Sequence, residues 1–205
     1  VCYRWFRDEF GDLEVALGQR TGRSTYDILD EEASLAEPGC EGLIFLPYIS
    51  GARSPVWDEK ARAVYYGIDI RHKRHHFVRA ILEGIAYSLR HRIETMESLG
   101  VGIGQVRIVG GGGKSALWRQ IIADVCRKAV VSVRGQDHEC LGAAILAAVG
   151  ARIFPGLEDA VKRMTSIGDA SNPDDKNQET YNRTYRIYSQ LYPSLKDTFR
   201  QIPTH

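Results

Sequence analysis

QVRIVGGGGKSALWRQIIADVC, residues 105–126, is the stretch that decides the fold. Residues 105–109 are typical of a buried strand, four glycines follow at 110–113, and residues 115–126 place apolar side chains at helical spacing. Glycines let a backbone approach a ligand without a Cβ in the way, and the helix start beyond them offers unpaired N–H donors and a positive dipole end. A strand, a glycine-rich turn and a helix in this order suit a nucleotide.

Two well-known nucleotide motifs share parts of this stretch, and both are excluded. Gly113, Lys114 and Ser115 match the end of a P-loop, but that motif needs a glycine where the chain has Ile108. The dinucleotide fingerprint needs a glycine or alanine three residues after Gly112, where Ser115 stands. From these residues alone a purely structural alternative stays open, namely a tight turn with Ser115 as the N-cap of the helix.

The segments on either side of this stretch alternate between short apolar runs and helical patterns. The run at residues 74–99 predicts a long amphipathic helix whose buried face includes Ile81, Ile85 and Leu89. Strands that alternate with helices indicate an α/β fold with a substantially parallel sheet. The other predictions are buried strands at 43–46 and 130–133, an extended segment at 64–70, helices at 2–10, 12–19, 24–35, 140–149 and 157–164, a loop at 168–175, and a last helix with a tyrosine stripe that Pro193 bends or ends.

Composition narrows the class of protein. The chain has 205 residues, of which 43% are apolar and 26% charged, as in a globular domain with a buried core. The 27 basic and 26 acidic residues leave a net charge of +1, without the basic excess that nucleic acids or anionic membranes attract. The sequence therefore predicts neither of these partners.

Hydropathy and the spacing of cysteines and histidines predict the cellular compartment and whether the chain binds a metal ion. No apolar run approaches the roughly 20 residues that span a bilayer, and the start has no signal-peptide pattern. The four scattered cysteines are interpreted as reduced thiols, so we expect a cytoplasmic protein. The histidine-rich run at residues 72–76 is interpreted as a solvated helix start, and no metal site is predicted.

Four segments resemble the FGGY family of carbohydrate kinases. Residues 63–83 agree with each specified position of a long signature of that family, and the order and spacing of all four segments agree from Trp5 to about Tyr192. The other three segments are residues 46–58, similar to the family's proline-rich loop in its xylulokinase-like form, residues 110–124, similar to its adenosine-binding turn and helix, and residues 141–144, similar to its small-residue helix.

The resemblance implies an actin-like ATPase (ribonuclease H-like) α/β fold, with a mixed sheet flanked by helices and ATP bound in a cleft between two domains. Carried over by position, Gly111, Gly112 and Ser115 would line the adenosine, and Arg4 would be a further neighbour. Residues 1–205 would then be the C-terminal domain. The N-terminal sugar-binding domain, the start of this domain and the catalytic aspartate are expected upstream, so the chain itself is predicted to hold no catalytic residue.

The activity that the resemblance implies is transfer of the γ-phosphoryl group of ATP, with Mg²⁺, to a sugar. D-xylulose, giving xylulose 5-phosphate, is the first choice. The alternatives are an FGGY kinase for another pentulose or a polyol, and a non-catalytic actin-like nucleotide-binding module. The expected partners are the sugar, ATP, the N-terminal domain of the same enzyme, and a second copy in a homodimer, because a sheet without its first strands would present an unpaired edge. The chain alone is predicted to be inactive.

Glu83 has two possible roles, and the pair Trp57 and Asp58 is expected to have a structural one. Glu83 is interpreted either as a buried carboxylate near the cleft or as a helix-packing or capping residue. Trp57 and Asp58 are expected to anchor their loop rather than to touch the sugar.

Overall fold

Eight α-helices and two small sheets form the part of the chain that the computed structural model describes, residues 1–135 and 137–203. None of the described helices is both long and apolar enough to cross a lipid bilayer. The helices are α1 (Cys2–Phe10), α2 (Asp12–Thr21), α3 (Thr25–Ala33), α4 (Arg74–Ser98), α5 (Ala116–Cys126), α6 (His138–Gly150), α7 (Leu157–Met164) and α8 (Gln178–Phe199), and the strands are β1 (Ile44–Leu46), β2 (Val64–Tyr66), β3 (Gln105–Ile108), β4 (Ala129–Val133) and β5 (Ile167–Ser171).

The larger sheet has the order β3-β4-β5 and is mixed, with β3 parallel to β4 and β5 antiparallel to it. The prediction of a substantially parallel sheet is therefore wrong. Among the described residues, one pair of strands is parallel and two pairs are antiparallel. The loop predicted at residues 168–175 is also wrong over its first half, which belongs to β5. Its sequence, Ile-Gly-Asp-Ala-Ser, lacks an apolar pattern because the strand lies at an exposed edge. A Cβ added to Gly168 would stand 2.4 Å from Oγ of Ser132, so a side chain there would require Ser132 to move.

The strand β3 is less buried than its sequence predicts. Gln105 and Arg107 are exposed, while Val106 and Ile108 are half-buried. In residues 1–135 and 137–203 one strand, β4, pairs with β3, and the other edge of β3 has no strand beside it. The smaller sheet pairs β1 with β2 in antiparallel register, and β1 is buried throughout, as predicted.

The long helix α4 is the centre of the core, with β1, α3 and α5 packed around it. Its bounds confirm the predicted helix, but the predicted buried face is only partly right. Ile81 is fully buried, whereas Ile85 and Leu89 are half-buried. The helix is buried on more than one side, and Gly84 lies against Phe45 of β1 without room for a side chain.

The helix α8 is longer than its sequence predicts, and α6 is more exposed than its sequence predicts. Tyr181, Tyr185 and Tyr188 of α8 are buried, which confirms the tyrosine stripe as core packing. The helix continues past Pro193 to Phe199, because Phe199 is itself buried and this packing outweighs the loss of a backbone hydrogen bond. The helix α6, predicted to be closely packed, buries only Ile145 among its described residues, since its main neighbour there is α7.

Candidate functional site

A cavity of about 330 Å³ opens between α1, α3 and the turn before α5. This volume lies at the lower end of the range for small-molecule sites in proteins. Each wall comes from a different part of the sequence, so the cavity exists only in the folded chain. It is lined by Val1, Tyr3 and Arg4 of the first helical region, Tyr26 and Asp30 of α3, and Gly111, Gly112, Ser115 and Trp118 of the turn and α5.

The turn is held by backbone geometry and by a helix cap. Gly110 has φ 72° and ψ −158°, a conformation that only glycine adopts without strain. The next three glycines form a single 3₁₀ turn. Ser115 then accepts a hydrogen bond at 3.0 Å from the backbone N–H of Trp118, which confirms Ser115 as the N-cap of α5.

Gly111 and Gly112 serve different purposes. A Cβ added to Gly112 would stand 2.7 Å from a ring carbon of Trp118, so the missing side chain makes room for the indole. A Cβ added to Gly111 would meet nothing within 4 Å. The backbone at Gly111 therefore faces open space that a ligand can occupy, and nothing in the fold itself excludes a side chain there.

Three aromatic rings form the apolar wall of the cavity. The ring centroids of Tyr3 and Tyr26 lie 5.4 Å apart, and those of Tyr3 and Trp118 lie 6.2 Å apart in an edge-on arrangement. Tyr3 is buried, and Tyr26 and Trp118 are half-buried, so the faces of the rings are partly available. Such a wall can pack against a planar base.

Asp30 places a carboxylate beside these rings. Its Oδ1 accepts a hydrogen bond at 2.7 Å from the hydroxyl of Tyr3. Burial raises the pKa of the Asp30 carboxyl above its ordinary value, and it does so against the lowering effect of the Ser115 and Tyr3 hydroxyls. Burial, together with the charge of Asp30, likewise raises the pKa of Tyr3. The tyrosine hydroxyl therefore stays a donor to the carboxylate.

Arg74, the first residue of α4, holds the first three helices together. It donates to Glu14 of α2 at 2.8 Å, to Glu32 of α3, and to the carbonyl oxygen of Phe10 at the end of α1 at 3.0 Å. The two carboxylates come from different helices, and the carbonyl comes from a third. This arginine therefore fixes the side of the cavity that α1 and α3 provide.

The structure brings all four predicted site residues, Arg4, Gly111, Gly112 and Ser115, to one cavity. Their role in binding adenosine stays a prediction. Sequence reasoning missed the three aromatic side chains and the carboxylate of the cavity. The signals were weak but present, since two of these residues are one turn apart on α3 and the others adjoin Arg4 and follow the cap of α5. The missed residues are Tyr3, Tyr26, Asp30 and Trp118.

Glu83 does not line the cavity. It is 1% exposed and accepts hydrogen bonds from Arg79 at 2.7 Å, the backbone N–H of Gly39 at 3.0 Å and the hydroxyl of Tyr181 at 3.1 Å. The carboxylate also lies 3.4 Å from the hydroxyl of Tyr87. Of its two interpretations, the structure supports the helix-packing one, because Glu83 joins α4 to α8 and to the loop after α3.

The histidine run and the loop at residues 50–58 take structural roles as well. His76 is buried, and its Nδ1 accepts from the backbone N–H of Lys73 at the start of α4, so a fully solvated face is wrong for this residue. Asp58 accepts from the Tyr192 hydroxyl at 2.9 Å and anchors its loop as predicted. Trp57 is 71% exposed and does not anchor it. Within residues 1–135 and 137–203, no group of three or more His, Cys, Asp or Glu side chains is arranged to hold a metal ion.

The sequence profile of the C-terminal domain of the FGGY family of carbohydrate kinases matches residues 3–151. Among curated relatives, a protein named gluconokinase from Bacillus licheniformis is 30% identical over 206 residues, which cover 100% of this chain and 40% of that protein. A xylulose kinase from Staphylococcus epidermidis is 34% identical over 178 residues, or 87% of this chain and 36% of that protein. The chain thus spans about two fifths of the length of these relatives.

A solved structure of a ligand-bound xylulose kinase from Lactobacillus acidophilus matches 98% of this chain and 39% of its own chain, with a TM-score of 0.84 and 24% identity. At that identity the likeness concerns the fold alone. Together with the mixed sheet and its flanking helices, it confirms the predicted α/β, actin-like fold.

Proposed function

Because the chain belongs to the FGGY family of carbohydrate kinases, we propose that it supplies the adenosine side of the nucleotide site of an ATP-dependent sugar kinase. One observation carries the proposal. Arg4, Gly111, Gly112 and Ser115, which the family resemblance selects, line the same cavity, and three aromatic rings form much of the remaining wall. A nucleotide needs both an apolar face for its base and polar groups around its sugar and phosphates.

The side chains of the cavity have separate tasks in this proposal. The rings of Tyr3, Tyr26 and Trp118 pack against the base, and the open backbone at Gly111 lets the ligand approach the start of α5. The dipole of α5 and the exposed guanidinium of Arg4 favour the negative charge of the phosphates. Bound ATP would supply the γ-phosphoryl group, and this chain would hold and orient its nucleoside end.

The Mg²⁺ ion of the proposed reaction has no ligand set in this chain. The described residues contain no cluster of acids or histidines that fits a cation. Mg²⁺ is commonly held by substrate phosphates with only one or two carboxylates. We therefore assign it no ligand in residues 1–135 or 137–203 and no step in what this chain does.

The acceptor of the phosphoryl group is proposed from the relatives. D-xylulose is the first choice, since the chain is similar to xylulose kinases and its loop at residues 46–58 resembles their form. D-gluconate is the second choice, because a relative aligned over the whole chain is named gluconokinase. The sugar contacts and the catalytic base would come from an N-terminal domain of the same enzyme, in the cytoplasm. Closure of the two domains would exclude water.

Nucleotide titration of this chain tests the proposal, with the indole N–H signals of the three tryptophans as probes. ATP should shift the signal of Trp118, which lines the cavity, and leave that of the exposed Trp57 unchanged. Gly111→Val should abolish the shift. Gly102→Val is the matched control, since Gly102 also has open space around it but lies outside the cavity, and it should bind ATP as the unaltered chain does.

Turnover separates the kinase from the non-catalytic module. The chain joined to the N-terminal domain of an FGGY xylulose kinase should phosphorylate D-xylulose with MgATP, whereas the chain alone should not and should self-associate through the free edge of β3. If saturating ATP leaves the Trp118 signal in place, the adenosine site is wrong. If ATP binds but the joined protein does not turn over D-xylulose, the non-catalytic module is the better description.

A further inference from the structure

Asp30 is the single acidic side chain among the described residues that line the cavity. A carboxylate is an unexpected group in a site for an anionic nucleotide, because it repels phosphates. Its position beside Tyr3 places it against the aromatic wall, where the neutral nucleoside end would lie.

The carboxylate of Asp30 is half-buried and has few protein partners. In the part of the chain that the structure describes, it forms no ion pair. The Tyr3 hydroxyl donates to its Oδ1, and the Ser115 hydroxyl lies close by. An ionised carboxylate can accept about four hydrogen bonds. Asp30 is half-buried and lines the cavity, so water can fill its remaining capacity in the ligand-free chain, and a donor of a bound ligand can take the place of that water.

We propose that Asp30 is a specificity-determining residue of the nucleotide site, which accepts a hydrogen bond from the nucleoside. The donor is the exocyclic amino group of the base or a hydroxyl of the ribose. This inference rests on the proposed function, because it presupposes that a nucleoside occupies the cavity. Tyr3 is a positioning residue in this arrangement, since its hydroxyl donates to Oδ1 of Asp30 and orients the carboxylate.

A purely structural role for the pair predicts something different. If Asp30 served only to hold Tyr3 and Ser115 in place, its removal would weaken all nucleotides by the same factor. If it accepts a hydrogen bond from the ligand, its removal abolishes the preference for nucleotides that carry the donor. The ratio of two affinities therefore separates the roles, and it also cancels any general loss of fit.

The experiment measures dissociation constants for ATP, N6,N6-dimethyl-ATP, 2′-deoxy-ATP and 3′-deoxy-ATP. In the unaltered chain, the analogue that lacks the relevant donor should bind at least about tenfold more weakly than ATP, since hydrogen bonds to charged groups are among the strong ones. In Asp30→Ala that ratio should fall to near one. Tyr3→Phe should keep a preference but reduce it, because the carboxylate remains without its positioning hydroxyl.

Asp27→Asn is the control, since Asp27 lies on the same helix, is exposed and does not line the cavity. It should leave all ratios unchanged. Loss of preference for the N6-dimethyl analogue assigns Asp30 to the base, and loss for a deoxy analogue assigns it to the ribose. The inference is overturned if each analogue binds the unaltered chain as ATP does, or if Asp30→Ala keeps the same ratios. Failure of ATP itself to bind the unaltered chain would instead overturn the proposed function.

Discussion

Two carboxylates, the buried Glu83 in the core and the half-buried Asp30 in the cavity, have very different partners in this structure. Glu83 is enclosed by a guanidinium, two tyrosine hydroxyls and a backbone N–H, and its charge is fully compensated. Asp30 has hydroxyls as partners and no described cation. The saturated carboxylate is a structural joint, whereas the unsaturated one has capacity left for a ligand.

The largest effect expected from this comparison is the loss of the core carboxylate. Glu83→Gln should lower the free energy of unfolding by about 3–5 kcal/mol, because it leaves the buried guanidinium of Arg79 without a compensating charge. Glu94→Gln is the matched control on the same helix, where Glu94 pairs with Arg90 at the same spacing but is 45% exposed. It should cost no more than about 1 kcal/mol. Equal losses in urea unfolding would show that burial does not distinguish the two pairs.

Gly111 and Gly112 allow the same comparison, between a residue that the fold requires and one that only a ligand would require. Gly112→Ala should lower the free energy of unfolding by about 1–3 kcal/mol, because its Cβ would collide with the ring of Trp118. Gly111→Ala should change it by less than about 0.5 kcal/mol, since the space there is open. Urea denaturation of the ligand-free chain measures both. A larger loss for Gly111→Ala would mean that the turn, rather than a ligand, requires that glycine.

The smallest effect concerns the cavity carboxylate and depends on pH. Burial raises the pKa of Asp30, so folding favours its protonated form, and its contribution to stability is largest at low pH and is lost as the pH rises through the folded pKa. Asp30→Asn should therefore unfold at a slightly higher temperature than the unaltered chain at pH 7, and the difference should shrink as the pH falls. The groups that act on Asp30 are the Ser115 and Tyr3 hydroxyls and Asp27, and Arg4 lines the same cavity.

Asp58 provides the control of opposite sign. The hydroxyl of Tyr192 lowers the pKa of Asp58, so its contribution is present at neutral pH and disappears as the pH falls through the folded pKa. Asp58→Asn should be less stable than the unaltered chain at pH 7 and equal to it in acid. Melting temperatures of both variants between about pH 2 and 8 check the two signs, because the contribution of Asp58 changes only below the ordinary pKa of an aspartate. The same sign in both variants would contradict the two opposite pKa shifts.

The parts of the fold that could be predicted from sequence are those in which the residue spacing within one segment determines its structure. The helix α4, the cap at Ser115 and the tyrosine stripe of α8 follow from local spacing, and their structures agree. The strand β5 could not be predicted in this way, because its pairing with β4 and its exposure are set by a distant segment.

The same distinction holds for the cavity. Residues 110–115 form a contiguous pattern, and the sequence sufficed to select three of its members. Tyr26 and Asp30 lie some 80 residues earlier, on a helix whose pattern indicates only packing. Their meeting with Trp118 depends on how α3 packs in three dimensions, and no local signal encodes that. The glycine-rich turn of the cavity was therefore predictable, and its aromatic and acidic wall was not.

Arg74 helps to order one side of the cavity during folding, before any ligand binds. Because its single guanidinium ties α1, α2 and α3 to the start of α4, the side of the cavity that carries Tyr3, Tyr26 and Asp30 is held in place by the fold itself. The conformational entropy of these side chains then falls during folding and not during association. A ligand would meet a preformed surface, so its affinity would depend on an ion-paired residue that it never touches.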